Sequence, residues 1–245
     1  MSIAIQGLAV SRGIAIGKAV LMTSVRSHVQ HYYIQASQVE DEIQRVGAAR
    51  NNVVRELEKL LADMPADAPH ELAAILDVHL MLLQDQELVK SIKQWIEERH
   101  YNAEWALTRQ LEIVSRQFDE MEDPYLRERK ADLEQVVERI LQYMQSDKQQ
   151  APASLDALAQ QSQIDSDAQL ILVAHDLSPA DMLKFKASVF VGFITDVGGP
   201  TSHTAIVARS MDIPAVVGAR TASQLLRPDD LVIIDGDAGL VLVDP

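Results

Sequence analysis

The spacing of apolar residues changes period twice along this chain. Ile3 to Val10 and Ile14 to Met22 are short apolar runs on either side of a turn at Ser11-Arg12-Gly13, which predicts two strands. From Val39 the period becomes helical. Val39, Ile43, Val46, Val53, Leu57 and Leu60 share one face of a long helix that ends near Met64, behind a capping box at Ser37 and Glu40. Pro65 and Pro69 punctuate it. Further helices are predicted from about Glu71 to Leu83, then after a break near Asp85 from Glu87 to Glu98, from Ala103 to Phe118, and from Pro124 to Met144. From Gln169 strands return. Leu170–Ala174, Val189–Ile194 and Pro214–Val217 alternate with short helices, and Leu231–Asp235 with Leu240–Val243 forms a closing hairpin over Gly236-Asp237-Ala238-Gly239.

Glycine placement gives the same division. Of 10 glycines, only Gly47 falls in the long middle, which is rich in Glu, Gln, Leu, Ala and Arg. Residues 1–34 and 147–245 are therefore expected to form one discontinuous α/β domain. Residues 35–146 form an all-α domain of four helical stretches in antiparallel hairpins, inserted within it.

Composition narrows the chemistry. A length of 245 residues with 47% hydrophobic content supports a sizeable core. Cysteine is absent, which excludes disulfides, thiol catalysis and zinc–thiolate sites. No apolar stretch approaches the roughly 18 residues of a membrane span, and the N-terminus lacks a signal-peptide pattern, so a soluble cytoplasmic protein is expected. A net charge of −14 argues against nucleic acid and anionic membrane, and permits a basic protein partner.

The candidate chemistry sits on His203. The predicted strand ending at Ile194 is broken by Gly198 and Gly199, and Pro200 marks the turn. Thr201 or Ser202 is the natural N-cap of a helix running through Thr204 to Arg209. The glycine pair allows backbone N–H groups to approach an anion closely. A helix N-terminus disfavours imidazolium, which keeps a lone pair on the ring, and then favours a phosphoryl group once it arrives. Thr201, Ser202 and Thr204 offer hydroxyls, and Arg209 offers a charge-assisted contact if its turn folds back. Phosphoryl transfer to an imidazole needs mainly positioning and electrostatics.

The run Gly-Gly-x-Thr-Ser-His-Thr-Ala-Ile-x-Ala-Arg resembles the phosphohistidine motif of the phosphoenolpyruvate-utilising enzymes. This family contains Enzyme I of the bacterial sugar phosphotransferase system, phosphoenolpyruvate synthase and pyruvate phosphate dikinase. Thr204 and the helical insert favour the Enzyme I branch over the dikinase branch. The opening Gly7-x-x-x-Ser11-x-Gly13-x-Ala15-x-Gly17 is similar to the start of Enzyme I. The resemblance covers essentially the whole chain. It implies an α/β phosphohistidine domain with an inserted all-α four-helix domain that binds the phosphocarrier HPr. It also implies that His203 carries phosphate on Nε2, and that the Leu177-Ser178-Pro179 turn lines the site, with Ser178 within reach of His203.

A second segment, His79 to Leu88, reads by spacing as bundle core. By resemblance it faces HPr, together with the segment from Asp123 to Asp132. The residues so implied are Glu71, Met81, Leu82, Asp85, Glu87, Leu88 and Arg129. His79 reads as a hydrogen-bonded helix residue, and Trp95 and Trp105 as packing residues. His28 and His31 read as a solvated loop, and no metal site is expected.

Two positions depart from the family pattern. Met182 stands where many members have a threonine that holds the active histidine, so Ser178, Thr195, a backbone carbonyl or water must orient the ring. Pro200 stands where some members have arginine. In the family a C-terminal (β/α)8 barrel binds phosphoenolpyruvate and Mg2+ and mediates dimerisation. The expectation is therefore a monomer without a cofactor of its own, either a truncated piece or a naturally split protein. It would exchange phosphate with phospho-HPr and not take it from phosphoenolpyruvate. The alternatives are a regulatory or docking module with His203 as a sensor, or the equivalent domain of a nitrogen-type or dihydroxyacetone-kinase-linked phosphotransferase.

Overall fold

The computed structural model describes residues 3–22, 29–64, 68, 70–146, 155, 158, 169–185 and 188–245. His28, Pro65, Pro69 and the expected domain junction at 147 lie outside these residues. The chain divides into two compact units. One comprises Met1–Thr23, Pro65–Ile75 and Ala153–Pro245, and the other Ser24–Met64 and Leu76–Pro152.

The helical elements are α1 (Val39–Ala62), α2 (His70–Gln84), α3 (Gln86–Arg99), α4 (Ala103–Asp119) and α5 (Pro124–Ser146). The capping box lies two residues earlier than the sequence pattern places it. A 3-10 turn at Ala36–Gln38 precedes α1, and the box joins Gln35 to Gln38, with the Gln35 N–H donating to Gln38 Oε1 at 2.9 Å. Ser37 is inside that turn and caps nothing. The break near Asp85 separates two helices. Asp85 adopts extended geometry (ψ 117°), and its carboxylate accepts from the N–H groups of Glu87 (2.8 Å) and Leu88 (3.3 Å), capping α3.

The buried faces follow the helical period. Val53 and Leu57 of α1, Leu107 and Leu111 of α4, and Val137 and Leu141 of α5 are fully buried where α1 and α4 pack on α5. Tyr101 stacks on Trp105 with ring centroids 3.6 Å apart, and on Trp95 at 5.7 Å, so both tryptophans pack as expected. The segment before α1 belongs to this unit because it is tied to the start of α4. Tyr33 bridges to Tyr101, and the Asn102 side chain accepts from Tyr32 N (3.2 Å) and donates to Gln30 O (3.1 Å). This segment groups with the helices in the same compact unit.

The other unit is a mixed eight-stranded sheet. Its strands are β1 (Ile3–Gln6), β2 (Leu8–Ala9), β3 (Ile14–Met22), β4 (Leu170–Ala174), β5 (Phe190–Thr195), β6 (Ala215–Val217), β7 (Leu231–Asp235) and β8 (Leu240–Val243). Their order is β1-β8-β7-β3-β4-β5-β6-β2, with β3 to β6 parallel and the other pairs antiparallel. Gly7 alone separates β1 from β2, yet these strands form opposite ends of that order. Two residue steps span at most about 7 Å, so the sheet closes on itself there. A Cβ at Gly7 would lie 2.5 Å from Val216 Cγ1 and 2.8 Å from Val217 O, so the closure requires glycine. The single strand expected over residues 3–10 is therefore two.

Ile171, Val173, Ile194, Val216, Val232 and Val241 fill one side of this sheet. Among the described residues, the short helices that accompany it are α6 (Pro179–Phe185), α7 (His203–Ser210) and α8 (Ala222–Leu225), the last not foreseen from sequence. Strand β4 is buried at every position, which explains why it reads as a continuous apolar run.

Candidate functional site

The loops that follow parallel strands β4, β5 and β6 converge at the carboxyl ends of those strands, the usual place for a site in a parallel sheet. After β5 the chain turns through Gly198, whose φ of +112° belongs to glycine. A Cβ there would sit 3.3 Å from Ser202 Oγ and from Val217 Cβ. A Cβ at Gly199 would meet nothing, so of the predicted pair only Gly198 is sterically required.

Ser202 is the N-cap of α7. Its hydroxyl donates to Gly199 O (2.9 Å) and accepts from Ala205 N (3.3 Å). His203 is the first helical residue and is half-buried. Its Nε2 lies 3.1 Å from the carbonyl oxygen of Leu177, on the loop after β4. A carbonyl can only accept, so in this pose Nε2 carries the ring proton. Thr204 Oγ1 donates to the same carbonyl at 3.3 Å. Leu177 in turn donates its N–H to Asp176 Oδ1 at 2.9 Å.

Of the ring-orienting groups that sequence left open, the structure shows a backbone carbonyl. Ser178 caps α6: its hydroxyl donates to Asp181 Oδ2 (2.6 Å) and accepts from Asp181 N (3.2 Å). Thr195 Oγ1 donates to Val197 O at 2.8 Å. Met182 is fully buried in the core. Arg209 does fold back, but onto main chain. Its Nη2 donates to Pro200 O at 2.9 Å and its Nη1 to Val10 O at 3.4 Å, which fastens the loop ahead of His203. Thr201 is exposed.

Sequence gave no sign of the carboxylate that ties these loops together. Asp196 is buried, and its Oδ2 lies 3.4 Å from His175 Nδ1. It accepts from both the hydroxyl and the N–H of Ser223, the latter at 2.9 Å. Burial by itself would raise the Asp196 carboxyl. The hydrogen bonds from His175 and Ser223 outweigh burial and hold it below the ordinary carboxylate range. The pattern Asp-x-Gly-Gly after a strand was the only available signal, and it gave no partner.

On the helical elements, the run from His79 to Leu88 divides by face. Leu83 and His79 are buried, Leu82 and Leu88 are half-buried, and Met81 is 71% exposed. Asp85 and Glu87 are exposed at the first turn of α3. Glu71 is exposed in the first turn of α2, within the segment that groups with the sheet unit. Arg129 on α5 donates to Asp132 Oδ2 at 3.0 Å, and Asp132 Oδ1 faces His79 Nε2 at 3.6 Å, linking α5 to α2. Asp132 was not singled out from sequence. Among the described residues no cluster of three or more His, Asp or Glu side chains is placed to hold a metal ion, and no helix is long and apolar enough to cross a membrane.

Comparison with known proteins agrees with this architecture. Residues 6–129 match the family model for the PEP-utilising enzyme N-terminal region, and residues 166–239 match the model for the PEP-utilising enzyme mobile domain. The chain is 54% identical over its full length to a phosphoenolpyruvate-protein phosphotransferase of Cupriavidus necator, spanning 42% of that protein. It is 35% identical over 98% of its length to the enzyme of the same name from Listeria monocytogenes, spanning 40% of it. A solution structure of Enzyme I (nEIt) superposes with a TM-score of 0.68 at 34% identity, covering 98% of this chain and 93% of that one. The N-terminal domain of a nitrogen-type Enzyme 1 superposes with a TM-score of 0.63 at 27% identity, covering 98% and 94%. The chain belongs to the phosphoenolpyruvate-utilising enzyme family, of which it carries the N-terminal and mobile-domain segments.

Proposed function

We propose that this chain is a phosphoryl carrier in which His203 exchanges a phosphoryl group with a histidine of the phosphocarrier HPr, in the cytoplasmic sugar phosphotransferase system. The observation that carries the reading is the placement of His203 as the first residue of α7. It stands behind the Ser202 cap, with its ring held by the Leu177 carbonyl.

A lone pair on the His203 ring attacks phosphorus, one P–N bond forms, and the P–N bond to the donor imidazole breaks. Each ring carries one N–H during the transfer, so the step balances on the two imidazoles once the His203 proton has passed from Nε2 to Nδ1. The chemical driving force is close to zero, so the catalytic contribution is positional and electrostatic. The positive N-terminal end of α7, on which His203 is the first residue, favours the incoming dianion. Arg209 and Ser202 act one step back, by fixing the loop that leads into that helix end. Transfer to Nε2, the atom the family resemblance implies, requires the ring to leave Leu177 O and to carry its proton on Nδ1. The geometry seen here is thus the resting pose.

The partner surface in this reading is Met81, Leu82 and Leu88 with the carboxylates of Asp85 and Glu87, together with Arg129. An exposed methionine rimmed by acids suits a transient basic partner. The test is exchange with radiolabelled phospho-HPr. Label should reach the wild-type chain and return to unlabelled HPr, and it should not reach His203→Gln. Binding of HPr without any transfer of label would support a docking module instead.

A further inference from the structure

Met81 is 71% exposed on α2. Leu76, His79 and Leu83 form the buried face of that helix. Met81 lies two residues from both His79 and Leu83, about 200° around the axis, and so projects from the opposite side. We propose that Met81 is an oxidation site, at which a hydroperoxide converts the thioether to the sulfoxide, and that the sulfoxide weakens docking of HPr without unfolding the chain. The second part rests on the reading of this surface as the HPr face.

Three observations carry this. The chain has no cysteine, so its methionine thioethers are the only sulfur open to oxidation. Those methionines differ in access. Met144 and Met182 are buried, and Met22, Met64, Met121 and Met211 are partly covered. Among the described residues Met81 alone is exposed. Peroxide must reach the sulfur to react, so Met81 is the methionine it meets first. The sulfur lone pair attacks one peroxide oxygen, the O–O bond breaks, and that oxygen stays on sulfur. Sulfur is oxidised by two electrons, and hydrogen peroxide is reduced to water. The third observation is the separation of Met81 from the core. The thioether is an apolar group that a partner covers at little cost, whereas the sulfoxide carries a strong dipole that must lose its water when a partner closes over it. Leu83, on the buried side, keeps the helix packed whichever form Met81 takes.

The test treats the whole chain with hydrogen peroxide, removes the peroxide, and follows each methionine by peptide mass spectrometry. Oxygen is expected on Met81 about tenfold faster than on Met144 or Met182. A chain oxidised at Met81 should bind HPr about tenfold more weakly in calorimetric titration, with an unchanged melting curve. Methionine sulfoxide reductases A and B, which act on opposite sulfoxide epimers, should together restore the affinity. Met81→Leu should bind HPr equally well before and after peroxide. The proposal is overturned if Met81 is not oxidised ahead of the buried methionines, if the Met81 sulfoxide binds HPr as tightly as the reduced chain, or if Met81→Leu loses as much affinity on treatment as the parent. A reduced chain that does not bind HPr at all would overturn the docking reading and the effect on docking with it. The order of oxidation is read without HPr, so the two failures are told apart.

Discussion

The Nε2 atom of His203 lies 3.1 Å from the main-chain oxygen of Leu177, 26 residues earlier in the chain. Parallel pairing of β4 with β5 makes the contact possible. The loops leaving both strands emerge side by side, with Val197 N donating to His175 O at 3.2 Å. The ring is thus held by a backbone carbonyl, a contact that needs no hydroxyl at position 182.

Ser178→Ala should separate two roles that sequence leaves merged. Loss of the α6 cap is expected to cost about 1 kcal/mol of stability. Because the ring is held by the carbonyl of the preceding residue, phosphoryl exchange should change less than tenfold. A loss of exchange beyond what destabilisation explains, read from initial rates with phospho-HPr, would place the hydroxyl at the chemistry.

Gly198→Ala and Gly199→Ala should behave differently. At Gly198 the new methyl group meets Ser202 Oγ and Val217 at 3.3 Å in a positive-φ conformation, and a cost of about 1–3 kcal/mol is expected, together with slower exchange. At Gly199 no contact arises, and denaturant unfolding should show a change within about 0.5 kcal/mol.

Asp196 should shape the acid limb of the stability curve. Its carboxyl is held low in the folded chain, so the unfolded chain binds that proton more readily. The stability it contributes is complete above the ordinary aspartate range near about 4 and is lost as pH falls through the lower folded value. Asp196→Asn should lower stability at neutral pH and flatten its fall below about pH 4. Urea midpoints between neutral and acid pH check the sign. An unchanged acid slope would contradict the assignment.

Met81→Ala and Leu83→Ala should separate docking from packing. Met81 is 71% exposed and Leu83 is 1% exposed. Met81→Ala is expected to leave thermal unfolding unchanged and to weaken HPr binding by about tenfold, as loss of a central apolar contact does. Leu83→Ala should instead cost about 2–5 kcal/mol of stability. Calorimetric titration with HPr, set beside melting curves, distinguishes the two.

Much of this fold was legible because periodicity is local. The helices of the middle region, the fully apolar β4 and the closing hairpin all follow from spacing and turn residues. The cap at Ser202 was one of two candidates, separated only by where the chain leaves extended geometry. What sequence hid was set by distant contacts. Gly7 reads as one residue in a strand and proves to be the point where the sheet closes against Val216 and Val217. The Leu177 carbonyl has no side-chain signature at all. Asp196 finds His175 and Ser223 only after three strands are laid side by side. Arg209 folds back onto the carbonyls of Pro200 and Val10, which no motif displays.

The most direct test of the central claim is 15N NMR of the His203 imidazole before and after addition of phospho-HPr. The account predicts a protonated Nε2 in the resting chain, in keeping with its bond to Leu177 O, and a phosphorylated Nε2 after transfer. Unlabelled HPr should then reverse the change. An unmodified His203 ring in a chain that nonetheless binds HPr, or phosphate found on another residue, would contradict it.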